Sequence, residues 1–145
     1  MFHKIKHVVP LEKYQLLVRF AEGVAKIYDV KPLFEELPVF QSLKEPGLFE
    51  KVHVGPGGYG VIWNETLDLA CDELFHKGEV VKTPFDGLIA FTEATRLWGL
   101  NESTLRKALV YGKLKEGIDA VQYGKQWVVS LSAMEREYGK RKESE

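Results

Sequence analysis

The sequence predicts an α+β chain in two domains: a small, β-hairpin-rich α+β domain over residues 1–80 and a helical domain with one hairpin over residues 81–145. Three observations carry this reading. "YQLLVRF", residues 14–20, sets Tyr14, Leu16, Val18 and Phe20 against Gln15, Leu17 and Arg19, the period of a half-buried strand. "FTEATRLWGLNESTLRKAL", residues 91–109, is two helical stretches hinged at Trp98-Gly99-Leu100. Between these regions "KGEVVKTPFDG", residues 77–87, has glycine near both ends, Pro84 inside and no periodicity, so the linker is placed there.

The first strand passes through Ala21-Glu22-Gly23 into a β-rich run from Val24 to Val30, which makes a hairpin. Residues 31–49 hold Pro32, Pro38 and Pro46, so only short helical turns fit. A second hairpin joins Lys51–Val54 to Tyr59–Trp63 through Gly55-Pro56-Gly57-Gly58. Asn64 then predicts the cap of a helix that buries Leu67, Ala70, Cys71 and Leu74 and stops at Gly78.

Beyond the linker, Thr92 is the expected cap of a helix from Glu93 to Trp98. Gly99 permits a sharp turn, and Asn101 caps a second helix from Glu102 to about Tyr111. That second helix buries Leu105, Ala108 and Leu109 and turns Ser103, Arg106, Lys107 and Val110 the other way, with Tyr111 at the margin. "IDAVQYGKQWVVS" reads as a hairpin with a basic tip at Tyr123-Gly124-Lys125-Gln126, and "SLSAMEREYG" as a capped helix ending at Gly139. Two helices, a hairpin and a closing helix make a winged helix-turn-helix arrangement. Trp98 and Trp127 are expected as core anchors of so small a domain, and the tail "GKRKESE" is expected to fray.

Composition narrows the function. The longest apolar runs fall far short of the roughly 20 residues that a membrane-spanning helix needs. Lys4, Lys6 and His7 precede no apolar segment of the kind a signal peptide carries. Cys71 is the single cysteine, so no internal disulfide forms; these features together predict a cytoplasmic protein with no membrane partner. The net charge of −1 conceals an asymmetry: residues 1–80 carry nine Lys/Arg against twelve Asp/Glu, and residues 81–145 carry eleven against nine. A polyanion should therefore meet the C-terminal domain.

Three chemical motifs each have an ordinary structural reading beside the functional one. "GPGGYG", residues 55–60, satisfies the glycine spacing of a dinucleotide loop, but a strand follows it where a pyrophosphate site needs a helix N-terminus, so it reads as a tight turn. Asp68, Asp72 and His76 at four-residue spacing, with Glu65 nearby, could ligate a metal on one helix face; no second cluster completes the set, His3, His7 and His53 share no spacing with it, and a solvated acidic face is the preferred reading. Cys71 falls on an apolar face, where a thiol packs rather than reacts. With no nucleophile elbow, phosphate loop or metalloprotease motif, no catalytic residue, cofactor or metal is predicted. The stretch from Arg106 to Lys115, by contrast, holds Arg106, Lys107, Lys113 and Lys115 and no acidic residue, and Lys125 at the hairpin tip is placed to reach phosphates while the second helix occupies the major groove.

Two resemblances extend this. "TEATRLWGLNESTLRKAL", "GKLKEG", "YGKQWVVS" and "AMEREYG" within residues 88–139 resemble the small bacterial helix-turn-helix domains of excisionase and MerR-like type. Ala94, Trp98, Leu100, Leu105 and Ala108 fall on the apolar positions expected there, whereas Thr95 departs from the usual alanine at the helix crossing. The resemblance implies that Ser103, Thr104, Arg106 and Lys107 face nucleic acid, Thr104 fitting the helix-face count least well. Residues 1–78 resemble the bacterial domain-of-unknown-function family 2442 through Pro10, the run from Tyr14 to Phe20, Gly23, "DVKPL" from Asp29, "FEKV" from Phe49, "GVIW" from Gly60 and "DLACDEL" from Asp68. Members of that family resemble accessory partners of small toxin-like proteins, which implies an antitoxin-like chain.

The sequence thus predicts a DNA-binding regulator whose N-terminal domain meets a protein partner, which the family resemblance implies is a small toxin-like protein, and whose C-terminal domain binds an operator. The alternative is a protein-interaction adaptor whose basic face meets an acidic protein. No oligomeric state follows from the sequence.

Overall fold

The computed structural model describes residues 2–141 and divides into two compact units, Phe2–Pro84 and the part from Phe85 onward. In the first unit the strands are β1 (Ile5–Leu11), β2 (Gln15–Phe20), β3 (Ala25–Asp29), β4 (His53–Val54), β5 (Gly60–Ile62), β6 (Asp68–Ala70) and β7 (Glu79–Val81), and the helices are α1 (Leu33–Glu36) and α2 (Cys71–Lys77). They form an antiparallel sheet in the order β1-β2-β3-β7 and a second in the order β4-β5-β6. The alternation read from residues 14–20 is real: Leu16, Val18 and Phe20 are buried, and Val18 pairs with Val8 on one side and Lys26 on the other. The proline-rich stretch forms the expected short turns, 3₁₀ helices over Pro38–Lys44 and Phe49–Lys51.

Aromatic rings close this core. Tyr14 packs edge-on to Phe34 and Phe49, each with ring centroids 5.2 Å away. The Trp63 indole N–H donates to the Phe49 carbonyl at 3.1 Å, so the one polar atom of a buried indole is satisfied. Lys13 and Tyr14 both hold left-handed backbone (φ 59° and 57°), which costs non-glycine residues about 1–2 kcal/mol each. The Tyr14 ring contacts and the Val30 amide, which donates to the Tyr14 carbonyl at 3.0 Å, hold that turn.

The helix expected to be capped by Asn64 starts six residues later, at Cys71. The Asn64 side-chain oxygen accepts from the amides of Thr66 and Leu67 at 2.9 and 3.0 Å, so it closes the turn between β5 and β6 instead of capping a helix. Leu67, Leu69 and Cys71 point inward while Asp68 and Ala70 are exposed. That is a two-residue period, and pairing Leu69 with Val61 satisfies the backbone that a helix would have satisfied internally. Asp68 therefore leaves the helix that carries Asp72 and His76, and the four-residue ladder of ligands dissolves. Among the described residues no group of three or more His, Cys, Asp or Glu is placed to hold a metal.

"GPGGYG" is the β4–β5 connection, with no helix behind it. Its glycine content has a steric cause. Gly58 holds φ +79°, and a Cβ there would lie 2.6 Å from the Ile5 carbonyl of β1. The linker is shorter than its sequence suggests: Glu79–Val81 pair with Ile27–Ala25 as the edge strand of the first sheet, which leaves residues 82–87 as the connection. A three-residue edge strand has too few positions to show alternation.

The second unit comprises β8 (Leu88–Ala90), α3 (Phe91–Trp98), α4 (Glu102–Tyr111), β9 (Ala120–Tyr123), β10 (Gln126–Ser130) and α5 (Leu131–Tyr138), with a sheet in the order β8-β10-β9. The helices and hairpin stand where the sequence places them, while β8 is an addition, pairing Ile89 with Val129. Because β8 runs directly into α3, the N-cap position is Ala90 rather than Thr92, and no side chain caps that helix. Asn101 does occupy the N-cap of α4, but its backbone carbonyl, not its side chain, takes the Thr104 amide at 3.0 Å. Ser130 caps α5 as expected, its hydroxyl accepting from the Ala133 amide at 3.1 Å. Trp98 is 3% exposed and donates to the Gly139 carbonyl at 2.8 Å; Trp127 is half-buried and stacks on Phe91. Of the tail expected to fray, residues 142–145 lie outside the described residues.

Two expectations follow for the fold. Gly58→Ala should lower stability by about 2–4 kcal/mol, since it adds a backbone clash to left-handed strain; urea unfolding of the full chain measures it, and a loss below about 1 kcal/mol would show that the loop relaxes away from β1. Brief trypsin digestion should cut first after Lys82, an exposed residue just past the last strand of the first unit, and leave two fragments that resist further cleavage; early cuts within β7 or α3 would contradict the placement of the connection.

Candidate nucleic-acid interface

The site is built on the α3–α4 pair. Gly99 takes φ 65°, ψ 39° at the end of α3, a left-handed conformation that glycine adopts without strain, and the Leu100 amide returns to the Thr95 carbonyl at 2.9 Å. The chain reverses within Gly99-Leu100-Asn101 and enters α4. Ala94 and Leu105 are fully buried, with Leu97 and Ala108 beside them, so small side chains lie within the packed pair. Thr95 is half-buried, and its hydroxyl donates back to the Thr92 carbonyl at 2.8 Å, which disposes of the polar atom within α3 itself.

Burial of Leu105 and Ala108 sets the outward face of α4. With about 100° per residue, Ser103, Arg106, Lys107 and Val110 cluster on the opposite side, and all four are exposed. Thr104 is half-buried at the margin, so it is the one member of the expected α4 set that lies off this face. Arg106 forms an i,i+4 pair with Glu102 at 3.2 Å, both side chains substantially exposed. Such a pair is worth about 0.3–0.5 kcal/mol, little enough for the guanidinium to exchange it for a stronger anion. The spacing of Glu102 and Arg106 signals this pairing in the sequence, although the basic run starting at Arg106 passes over it.

The remaining candidate residues lie on other elements. Lys113 and Lys115 follow α4 and are exposed, the Lys113 ammonium standing 4.4 Å from the centroid of the Tyr138 ring on α5. Lys125 occupies the exposed tip between β9 and β10. A cleft of about 370 Å³ opens between the α4–β9 loop and α5, lined by Gly112, Lys113, Lys115, Ile118, Asp119, Arg136 and Glu137. Asp119 is its fixed point, with a side chain only 6% exposed. The carboxylate accepts both Arg136 terminal nitrogens, at 3.1 and 2.9 Å, and the Lys115 amide at 2.9 Å. Hydrogen bonding from Arg136, then from the Lys115 backbone, holds its pKa below the ordinary carboxylate value against the opposing effect of burial. Nothing in the sequence pattern marked Asp119, because its partner lies 17 residues away on α5.

This arrangement offers exposed hydrogen-bond donors and positive charge. In the first unit, burial is the main cause that pushes the Cys71 thiol pKa up, so it stays protonated and packs as an apolar group. Among the described residues no helix is long and apolar enough to cross a membrane.

Comparison with known proteins finds two family models along the chain. A family model described as "Protein of unknown function (DUF2442)" matches residues 5–80, and one described as "Helix-turn-helix domain" matches residues 75–143. No curated protein matches the chain. A crystal structure described as that of a "Putative DNA Binding Protein" from Nitrosomonas europaea ATCC 19718 is 16% identical, covering 75% of this chain and 76% of that one, with a TM-score of 0.45; nothing about the site follows from a likeness of that degree.

The Asp119 anchor has a pH signature. A lowered folded pKa contributes stability that is fully present above about pH 4, the unfolded carboxylate value, and is lost as pH falls through the lower folded value. Asp119→Ala should cost about 1–3 kcal/mol at pH 7 by stranding the Lys115 amide and removing the two bonds that Asp119 accepts from Arg136, which keeps its bond to Glu137. The difference from wild type should shrink as the pH is lowered from 4 toward 2. Urea unfolding across that range measures it; an equal deficit at every pH would mean that the loss comes from packing and not from the carboxylate.

Proposed function

We propose that this chain, which belongs to the DUF2442 family and carries a C-terminal helix-turn-helix domain, is a DNA-binding regulator that places α4 in the major groove of an operator. The observation that supports it most directly is the outward face of α4, where Ser103, Arg106 and Lys107 lie opposite Leu105 and Ala108 and stand free of the domain's own core. Arg106 has the planar donor fork that matches guanine O6 and N7, Ser103 can donate to or accept from a base edge, and Lys107 suits a phosphate. Lys113, Lys115 and Lys125, on the loop and the hairpin tip, are assigned to backbone phosphates. Thr104, at the margin of the face, is assigned a peripheral contact.

Under this proposal residues 1–80 and 81–145 act as separate domains. The N-terminal domain carries a net −3, which opposes the approach of DNA, so its partner is a protein. Its first sheet ends in β1 and β7, and Val80 on β7 is 69% exposed; edges of this kind recruit partner strands. A small toxin-like protein is the partner that the family resemblance suggests, and a cytoplasmic antitoxin repressing its own operon has this division of labour.

Arg106→Ala should weaken binding to a specific duplex by about 1–3 kcal/mol and relax sequence preference at one position. Lys125→Ala should weaken binding to all duplexes alike and reduce the steepness of the log Kd versus log salt plot by about one unit. Fluorescence anisotropy with the DNA upstream of the chain's own gene, across a salt series, reads both effects. If neither substitution changes DNA affinity, α4 is not the recognition helix; if no duplex competes sequence-specifically, the basic face serves an acidic protein instead.

A further inference from the structure

Val110 lies on the midline of the exposed face of α4, in the last turn of the helix. At about 100° per residue it falls between Arg106 and Lys107 and nearly opposite Leu105 and Ala108. It is 78% exposed, although a β-branched residue is a mediocre helix former and gains nothing from facing water. Ser103 lies two turns earlier and Arg106 and Lys107 one turn earlier, with the exposed Tyr111 at the margin of the face. An apolar centre with a cationic surround calls for a partner that is apolar in the middle and anionic at its rim. The major groove of duplex DNA has that pattern wherever a thymine lies in its floor, with the C5 methyl between two lines of phosphates.

We propose that Val110 is a specificity-determining residue that packs against a thymine methyl in the floor of the major groove. This rests on the reading of α4 as a recognition helix and adds to it a base preference that neither Arg106 nor Lys107 can supply, since guanidinium and ammonium groups select acceptors and phosphates. Ser103 and Arg106 then set the flanking hydrogen-bonded contacts, while Val110 discriminates by shape and burial alone.

The test needs a DNA site and a change confined to one methyl group. The full-length chain is used to select sites from a pool of duplexes with a randomised core. Each thymine of the selected site is then replaced singly by uracil, which removes only the C5 methyl. Affinities of wild type and Val110→Ala are compared on every duplex, with circular dichroism to confirm that the exposed substitution leaves the fold intact. Wild type should lose about fourfold in affinity at one or two thymines, the factor expected for one buried methyl group. Val110→Ala should bind the thymine and uracil versions of those positions equally, while keeping the salt dependence of wild type. The inference is overturned if wild type is indifferent to every uracil, or if Val110→Ala retains the same preference; in both cases sequence-specific binding persists, so the recognition-helix reading stands. Failure to enrich any sequence would overturn that reading, and the Val110 inference with it.

Discussion

The packing of α4 against α3 governs what the C-terminal domain can do. A helix ten residues long has one face to bury, and Leu105 and Ala108 commit it. Once they are buried beside Ala94, Leu97 and Trp98, the backbone geometry leaves Ser103, Arg106, Lys107 and Val110 no inward alternative. The turn at Gly99 sets how soon α4 starts, and the hydrogen bond from Leu100 to the Thr95 carbonyl secures the reversal. A surface rich in donors is thus the geometric complement of a small apolar row.

The other C-terminal contacts hold that pair in place. Trp98 fills the core and binds the Gly139 carbonyl, which ties the end of α3 to the end of α5. Asp119 ties the loop after α4 to α5 through Arg136, using a bidentate pair whose acidic member is buried and whose basic member stays wet. A buried carboxylate without such a fork would be expensive, and here the Lys115 amide completes its bonding. The two lysines of the loop, Lys113 and Lys115, therefore sit on a segment anchored at both ends. The N-terminal domain solves a different problem, since its strands are short and its core depends on aromatic rings closing over them. Gly58 against the Ile5 backbone and Tyr14 between Phe34 and Phe49 show how tightly the turns are drawn in.

Legibility differed between the two halves for a physical reason. The three helices within residues 91–138 are eight residues or longer, and their periodicity is long enough to read; the short hairpin between them is marked by its glycine turn at Gly124. Residues 64–78 use elements too short for that. Leu67, Cys71 and Leu74 satisfy a helical period, and Leu67, Leu69 and Cys71 satisfy a strand period equally well. The choice fell to β5, whose unpaired edge takes β6 at Val61 and Leu69. β7 and β8, three residues each, became strands for the same reason: a neighbour, β3 or β10, had an edge to offer.

By itself, then, the sequence determined the periodic elements, the sharp turn at Gly99, the basic run from Arg106 to Lys115, and the acidic character of the first 80 residues, because each depends only on residues near one another along the chain. Tertiary structure alone decided which short segments became strands, that Asp119 anchors the loop through Arg136, and that Trp127 stays half-buried. Those outcomes depend on distant segments: a strand needs a partner's open hydrogen bonds, a buried charge needs a counter-charge brought from another element, and exposure is settled only when every other side chain has found its place.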